Sequence, residues 1–445
     1  MTQVWCEAAL VDGQPRTGVL VEIADGRFTR VEIGAEPGGA LRLAGFSVPG
    51  LANAHSHAFH RALRSRTQAD RGTFWTWREL MYRAADRLDP DRYHRLARAV
   101  FAEMALAGVT CVGEFHYVHH GPDGAAYADP NATGLALLAA ADDVGIRITL
   151  LDTLYLHGGL EGTGHVAPTG VQRRFSDGTA ARWRERIERL ESSDTHHIGA
   201  AVHSVRAVDD AAMRVVVDWA TAHDACVHVH VSEQPAENEA CRARSGASPT
   251  AVLADAGVVS RRCSVVHATH VDAADIGRLA TAGSTVVMCP TTERDLGDGI
   301  GPTGDLAAAG IPIALGSDSH AVVDLFEEAR ALELHERLRT QSRGRHTAAD
   351  LLDMAGASGH RCLGWDDAGS IAVGNRADLV TVSLDSVRTA GAAGRPVETT
   401  VFAATASDVT DVFVDGAHVV AGGRHRSIDV ARELDTAIGE LLDRG

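Results

Sequence analysis

Apolar and polar residues alternate at both ends of the chain. Near the start, Gly18-Val19-Leu20-Val21-Glu22-Ile23 and Phe28-Thr29-Arg30-Val31-Glu32-Ile33 repeat with a period of two and break at glycine. That period predicts short antiparallel strands with one buried face. The same texture returns in Ala377-Asp378-Leu379-Val380-Thr381-Val382 and Asp411-Val412-Phe413-Val414-Asp415-Gly416. Two β-rich ends around a different middle predict a small β-sandwich domain built by both termini. We place its halves at residues 1–46 and 369–445, the second closing in a terminal helix.

The middle, residues 47–368, has another rhythm. Short β-branched runs recur at Ser47–Ala54, Val109–Phe115, Ile146–Leu151, Ile198–His203, Cys226–Val231, Cys263–His267, Thr285–Cys289 and Ile311–Gly316. Stretches of helical period separate them, among them Tyr93–Ala107, Ala180–Leu190, Ala211–His223 and Ala273–Thr281. Strands alternating with helices predict an α/β architecture with a parallel sheet, and eight strands close a (β/α)8 TIM barrel.

Composition narrows the chemistry. The 445 residues carry 59 acidic and 42 basic side chains, a formal charge of −17, which excludes a general nucleic-acid or anionic-membrane binder. No lysine occurs; all 42 basic residues are arginine. This removes Schiff-base lysines, Walker-type phosphate loops and any metal pair bridged by a carbamylated lysine. The seven cysteines contain no CxxC, which excludes the small zinc deaminase fold and predicts reduced thiols. No basic segment followed by an apolar core opens the chain, and no apolar run reaches about 18 residues, so a cytoplasmic protein without a membrane span is expected.

His55-Ser56-His57 closes the first candidate strand, and residues two apart on a strand face the same way. Among 23 histidines such a pair arises by chance, and His228-Val229-His230 is a second example. Position discriminates between them. In a barrel the site forms at the carboxyl ends of the strands, and there stand His55, His57, His203, His230, His267 and Asp318. Imidazoles with one carboxylate suit a single divalent metal ion, Zn2+ first and Fe2+ second. Glu233, just past the fifth strand, is either a proton shuttle or a helix-start carboxylate. His228, one layer below His230, reads as core; His119-His120 and His196-His197 read as surface or strand-start residues.

Together these elements resemble the amidohydrolase superfamily, in its mononuclear deaminase branch. The matching pieces are Pro49-Gly50-Leu51-Ala52-Asn53-Ala54-His55-Ser56-His57, His230-Val231-Ser232-Glu233, Val266-His267-Ala268 and Gly316-Ser317-Asp318-Ser319-His320, with Gly369–Leu379 as the return into the small domain. More specific are Phe74–Arg83, Glu114–His120, His203–Val208 and Leu296–Ile300, which are similar to the formimidoylglutamate deiminases of histidine degradation. The resemblance implies metal binding by His55, His57, His230 and Asp318, and catalysis by Glu233, His267 and Asp318. It implies binding of the substrate's carboxylates by Arg78, Tyr117, His203 and Arg206, and a homodimer. One departure stands out: the pattern after His57 usually runs Ala-Phe-Gln near the substrate, and here it is Ala58-Phe59-His60. An imidazole lacks the amide's paired donor and acceptor, which bears on substrate preference.

The implied substrate, N-formimino-L-glutamate, is a small dicarboxylate, so a protein of charge −17 needs local cations to hold it. Arg206 past the fourth strand and Arg78 in the long first loop can supply guanidinium forks. Trp75 and Trp77 stay open between loop packing and ligand contact. Two rival readings remain: a deaminase of the same branch acting on a purine or pterin ring, and a catalytically silent relative kept as a binding protein.

Overall fold

The computed structural model describes residues 2–68, 74–162, 164–392 and 394–442, without the side chains of Phe74 and Trp75. Eight parallel strands follow one another in chain order: Leu51–Ser56, Val109–His116, Arg147–Leu154, His196–Val202, Val227–Val231, Cys263–His267, Thr285–Met288 and Ile313–Leu315. The ring closes where Ser56 bridges Asp318 in parallel register. Closure is tight. A Cβ on Gly316 would stand 2.7 Å from His55 Cβ and 2.8 Å from its carbonyl oxygen, so the backbones of strands eight and one meet only because that residue is glycine.

The helices start and stop on local chemistry. Asp89 caps the helix Pro90–Leu106 by accepting the Arg92 N–H, with proline in the first turn, and Asp209 caps Asp210–Ala222 through two N–H groups. Gly145 ends Ala132–Val144 in the left-handed conformation. No described helix is long and apolar enough to cross a membrane.

The chain ends build the small β-sandwich domain. Its strands connect through Leu41–Pro49, which pairs parallel with Thr2–Val11 and antiparallel with Leu379–Val382. The expected first barrel strand, Ser47–Ala54, is therefore two strands. The small domain holds the chain to Pro49, and the barrel takes it from Leu51. Gly50 is the joint, because a side chain there would collide with Thr110 and Asp378.

Arg147, at the amino end of the third barrel strand, fastens this domain to the barrel. It is 1% exposed, forks onto both oxygens of buried Asp378 and reaches Asp415 at 3.0 Å. Burial opposes both charges, but each partner outweighs it: the arginine holds Asp378 below the usual carboxylate range. Removing one member strands the other charge in the interior. Arg147→Met should therefore cost about 3–5 kcal/mol in denaturant unfolding. Since the Asp378 pKa is depressed on folding, its contribution is complete above about pH 4 and is lost as pH falls through the lower folded value. This contact lies at the amino end of the strand, away from the carboxyl ends where the candidate site stands.

Candidate active site

The first strand delivers His55 and His57 at its carboxyl end, the fifth delivers His230, and the turn after the eighth delivers Asp318. The ring nitrogens of His55, His57 and His230 offer ligand atoms all within 4.8 Å of one another. Asp318 Oδ1 joins them, 3.5 Å from Nε2 of both His55 and His57. Two of the rings are oriented by main chain. His57 Nδ1–H donates to the Phe115 carbonyl at 2.9 Å, and His230 Nδ1–H to the His203 carbonyl at 2.9 Å. Each therefore turns the lone pair of Nε2 inward, where His230 Nε2 lies 3.1 Å from His55 Nε2.

Charge states agree with that reading. Burial lowers the pKa of His55 and takes His57 down to about 3, and it holds His230 well below the ordinary value. All three imidazoles are neutral, so the short contacts to Asp318 are not ion pairs. Burial works against the Asp318 carboxylate, yet the His55 hydrogen bond and the charges around it keep it ionised. A buried convergence of three neutral imidazoles and one carboxylate fits a divalent cation.

Glu233, His267 and Asp318 form the second part. His267 Nε2 is 3.9 Å from Glu233 Oε1 and 3.9 Å from Asp318 Oδ2, while Nδ1 faces Glu293 Oε1 at 3.4 Å. Burial disfavours the imidazolium, but Glu233, the Glu293 hydrogen bond and Asp318 outweigh it and raise the pKa to about 10. Burial pushes the Glu233 carboxyl upward, with Asp318 and Glu237 adding to it against His267 and Arg206. The left-handed backbone of Ser232, His267, Ala268, Asp318 and His320 gathers at this rim, and it is strain of the kind that aims side chains.

A cavity of about 370 Å³ opens over these groups, within the range of small-ligand pockets. His57, His60, Arg78, Tyr117, His203, Arg206, His230, Glu233, His267 and Asp318 all line it; His55 lies beneath. His60 Nε2 and the Tyr117 hydroxyl are 3.0 Å apart. Arg78 stands on the helix Phe74–Asp86 rather than in a loop, its Nε–H donating to Tyr82 Oη at 2.6 Å. Trp77 lines the wall beside His60, their rings 5.2 Å apart; the Trp75 side chain lies outside the described residues.

One reading of a histidine run needs correcting. His119 and His120 are buried, at 0% and 7% exposure, where Arg174 folds back on their main chain. His228 is core as expected, and its Nε2 meets the Cys362 carbonyl at 3.2 Å. The sequence also hid three carboxylates. Glu114 accepts the Ser56 hydroxyl and the Ala58 N–H, bracing the turn between and after the two first-strand histidines. Glu237 accepts Arg206 Nε at 2.9 Å on one oxygen and the Ser232 N–H at 2.8 Å on the other. Glu293 orients His267. A charge inside the apolar run Val109–His116 was the available signal for Glu114. Glu237 and Glu293 sit in first helical turns, where carboxylates are ordinary.

Residues 46–419 match the profile described as Amidohydrolase family. A formimidoylglutamate deiminase from Pseudomonas aeruginosa is 40% identical over 460 aligned positions that cover 100% of both chains. The crystal structure of an amidohydrolase from Brucella melitensis superposes with a TM-score of 0.92 at 34% identity, again over 100% of both chains. An adenosine deaminase from Xanthomonas campestris with bound zinc shares the fold, with a TM-score of 0.84 at 24% identity over 98% of this chain and 96% of that one.

Proposed function

Because this chain belongs to the amidohydrolase family, we propose that it hydrolyses the C–N bond of a linear amidine, converting N-formimino-L-glutamate and water to N-formyl-L-glutamate and ammonia in histidine degradation. The observation that carries this reading is the pairing of Arg78 and Arg206 with a hydrolytic centre in one small cavity. In a chain of charge −17 the two guanidinium groups lining the cavity supply local positive charge suited to an anionic ligand, Arg206 doing so while its Nε–H donates to Glu237 at 2.9 Å. The full-length similarity to the Pseudomonas aeruginosa deiminase supports the same substrate.

His55, His57, His230 and Asp318 would hold one ion, with Zn2+ favoured by three imidazoles and Fe2+ second. When bound, such an ion supplies Lewis acidity and makes water nucleophilic at neutral pH. Asp318, held ionised, takes the proton of the attacking water. Glu233, whose raised pKa lets it carry a proton, delivers one to the imine nitrogen as the formimino carbon becomes tetrahedral. His267 Nε2–H, not engaged by either carboxylate at 3.9 Å, donates to the developing charge at that carbon's oxygen. On collapse Glu233 takes back a proton from the hydroxyl as the carbonyl forms and Asp318 passes its proton to the departing nitrogen, so the C–N bond breaks, ammonia leaves, the formyl group remains and both carboxyls return to their starting states. Arg206, Arg78, Tyr117 and His203, with His60, hold the two carboxylates. We also read the protein as a cytoplasmic homodimer with no nucleic-acid or membrane partner.

The test is ammonia release from N-formimino-L-glutamate by metal-replete protein, run beside guanine and adenosine. Equal yields of ammonia and N-formyl-L-glutamate are expected. Ammonia from the purines and none from the amidine would replace this reading with a ring deaminase.

A further inference from the structure

Gln172 lies behind the cavity wall, 4% exposed, in the turn Gly170–Phe175. The orientation of its side-chain amide is fixed at both ends by main chain. Oε1 accepts the Thr169 N–H at 3.1 Å, and Nε2 donates to the Gly158 carbonyl at 2.8 Å. A backbone N–H can only donate and a carbonyl can only accept, so the amide cannot be flipped. The same Nε2 lies 3.0 Å from Tyr82 Oη and 3.1 Å from Tyr155 Oη. Its two hydrogens serve three acceptors, one of them shared. Both phenol oxygens therefore accept from Gln172.

Tyr82 Oη accepts a second time, from Arg78 Nε–H at 2.6 Å, and a guanidinium has no lone pair to offer in return. Neither tyrosine spends its own O–H on these partners. Both line the cavity alongside Arg78 and Arg206, and burial pushes the Tyr155 pKa up, so that phenol keeps its proton. Two O–H donors beside two guanidinium groups, on one wall, make an acceptor-seeking cradle.

We infer that Tyr82 and Tyr155 are specificity residues whose hydroxyls, held as donors by Gln172, bind with Arg78 the side-chain carboxylate of the substrate, the one farther from the formimino carbon. This rests on the substrate proposed above. Gln172 is a positioning residue, acting only through the tyrosines. A carboxylate accepts from all of these donors, whereas a carboxamide turns an NH2 toward at least one of them, so the cradle selects glutamate over glutamine.

The experiment compares kcat and KM for N-formimino-L-glutamate and N-formimino-L-glutamine. Tyr155→Phe should raise KM for the glutamate substrate about 10-fold or more with kcat nearly kept, since a hydrogen bond to a charged group is lost, and should change the glutamine substrate far less. Gln172→Glu reverses the polarity: its carboxylate draws both O–H groups away from the cavity. The glutamate-to-glutamine preference in kcat/KM should then fall by about 10²-fold. Gln172 also closes the turn through Thr169, so if Gln172→Glu does not fold, Tyr155→Phe and Tyr82→Phe decide. An unchanged preference in the folded variants, or equal losses on both substrates, overturns the inference. Wild-type protein inactive on both amidines instead overturns the substrate reading, and the cradle falls with it.

Discussion

Glu233→Gln is expected to lower kcat on N-formimino-L-glutamate by about 10²-fold or more while metal content stays at the wild-type level. Among the described residues no hydrogen bond ties up the Glu233 carboxyl. Its oxygens stand 3.9 Å from His267 Nε2 and 3.8 Å from Arg206 Nη2, beyond hydrogen-bonding distance of each. A carboxyl so placed, buried and with its pKa raised, can hold and release a proton without first breaking a contact. Glutamine keeps its volume and carries no transferable proton. Because Glu233 is outside the cluster of His55, His57, His230 and Asp318 proposed to hold the ion, metal analysis of the variant separates lost chemistry from a damaged centre. KM should move less than kcat, since Arg78 and Arg206 are untouched. A variant with near-normal kcat would take Glu233 out of the proton path and leave the imine nitrogen without a donor.

The barrel was legible because its strands are almost wholly buried and so read as short β-branched runs; seven of the eight appear within a few residues of their expected bounds. The exception, Ser47–Ala54, failed for a physical reason. One apolar run serves two sheets in succession, and only the bulk of Thr110 and Asp378 around Gly50, distant in sequence, marks the change. The cluster of His55, His57, His230 and Asp318 was legible because each stands at the finish of a barrel strand, where the fold brings side chains together. What supports them was not. Carbonyls of Phe115 and His203 orient two rings, and a carbonyl carries no residue signature. Tyr82, on the helix Phe74–Asp86, meets Tyr155 and Gln172, from the long connection after the third barrel strand, across about ninety residues of sequence. The burial of His119 and His120 likewise follows from Arg174, which returns to them from more than fifty residues away.

Stripping the protein with a chelator, or replacing His57 by Ala, should reduce turnover by at least about 10³-fold, because the ion is what brings the pKa of water from 15.7 toward about 7. His57 is the sharper substitution of the two ring positions oriented by main chain. Its Nε2 faces Asp318 at 3.5 Å, and its other nitrogen is spent on Phe115, so its removal takes one inward-facing nitrogen from the cluster. Chelated wild type should recover on adding Zn2+, whereas His57→Ala should bind the ion weakly and recover little. Neither treatment should unfold the chain: a core of this size does not depend on a metal for stability, and circular dichroism of the stripped protein should match that of the loaded one. Catalysis that persists undiminished in metal-free protein would mean that three inward-turned imidazoles and an ionised aspartate are held together for something other than activating water, and the assignment of Asp318 and Glu233 to the two proton transfers would fall with it.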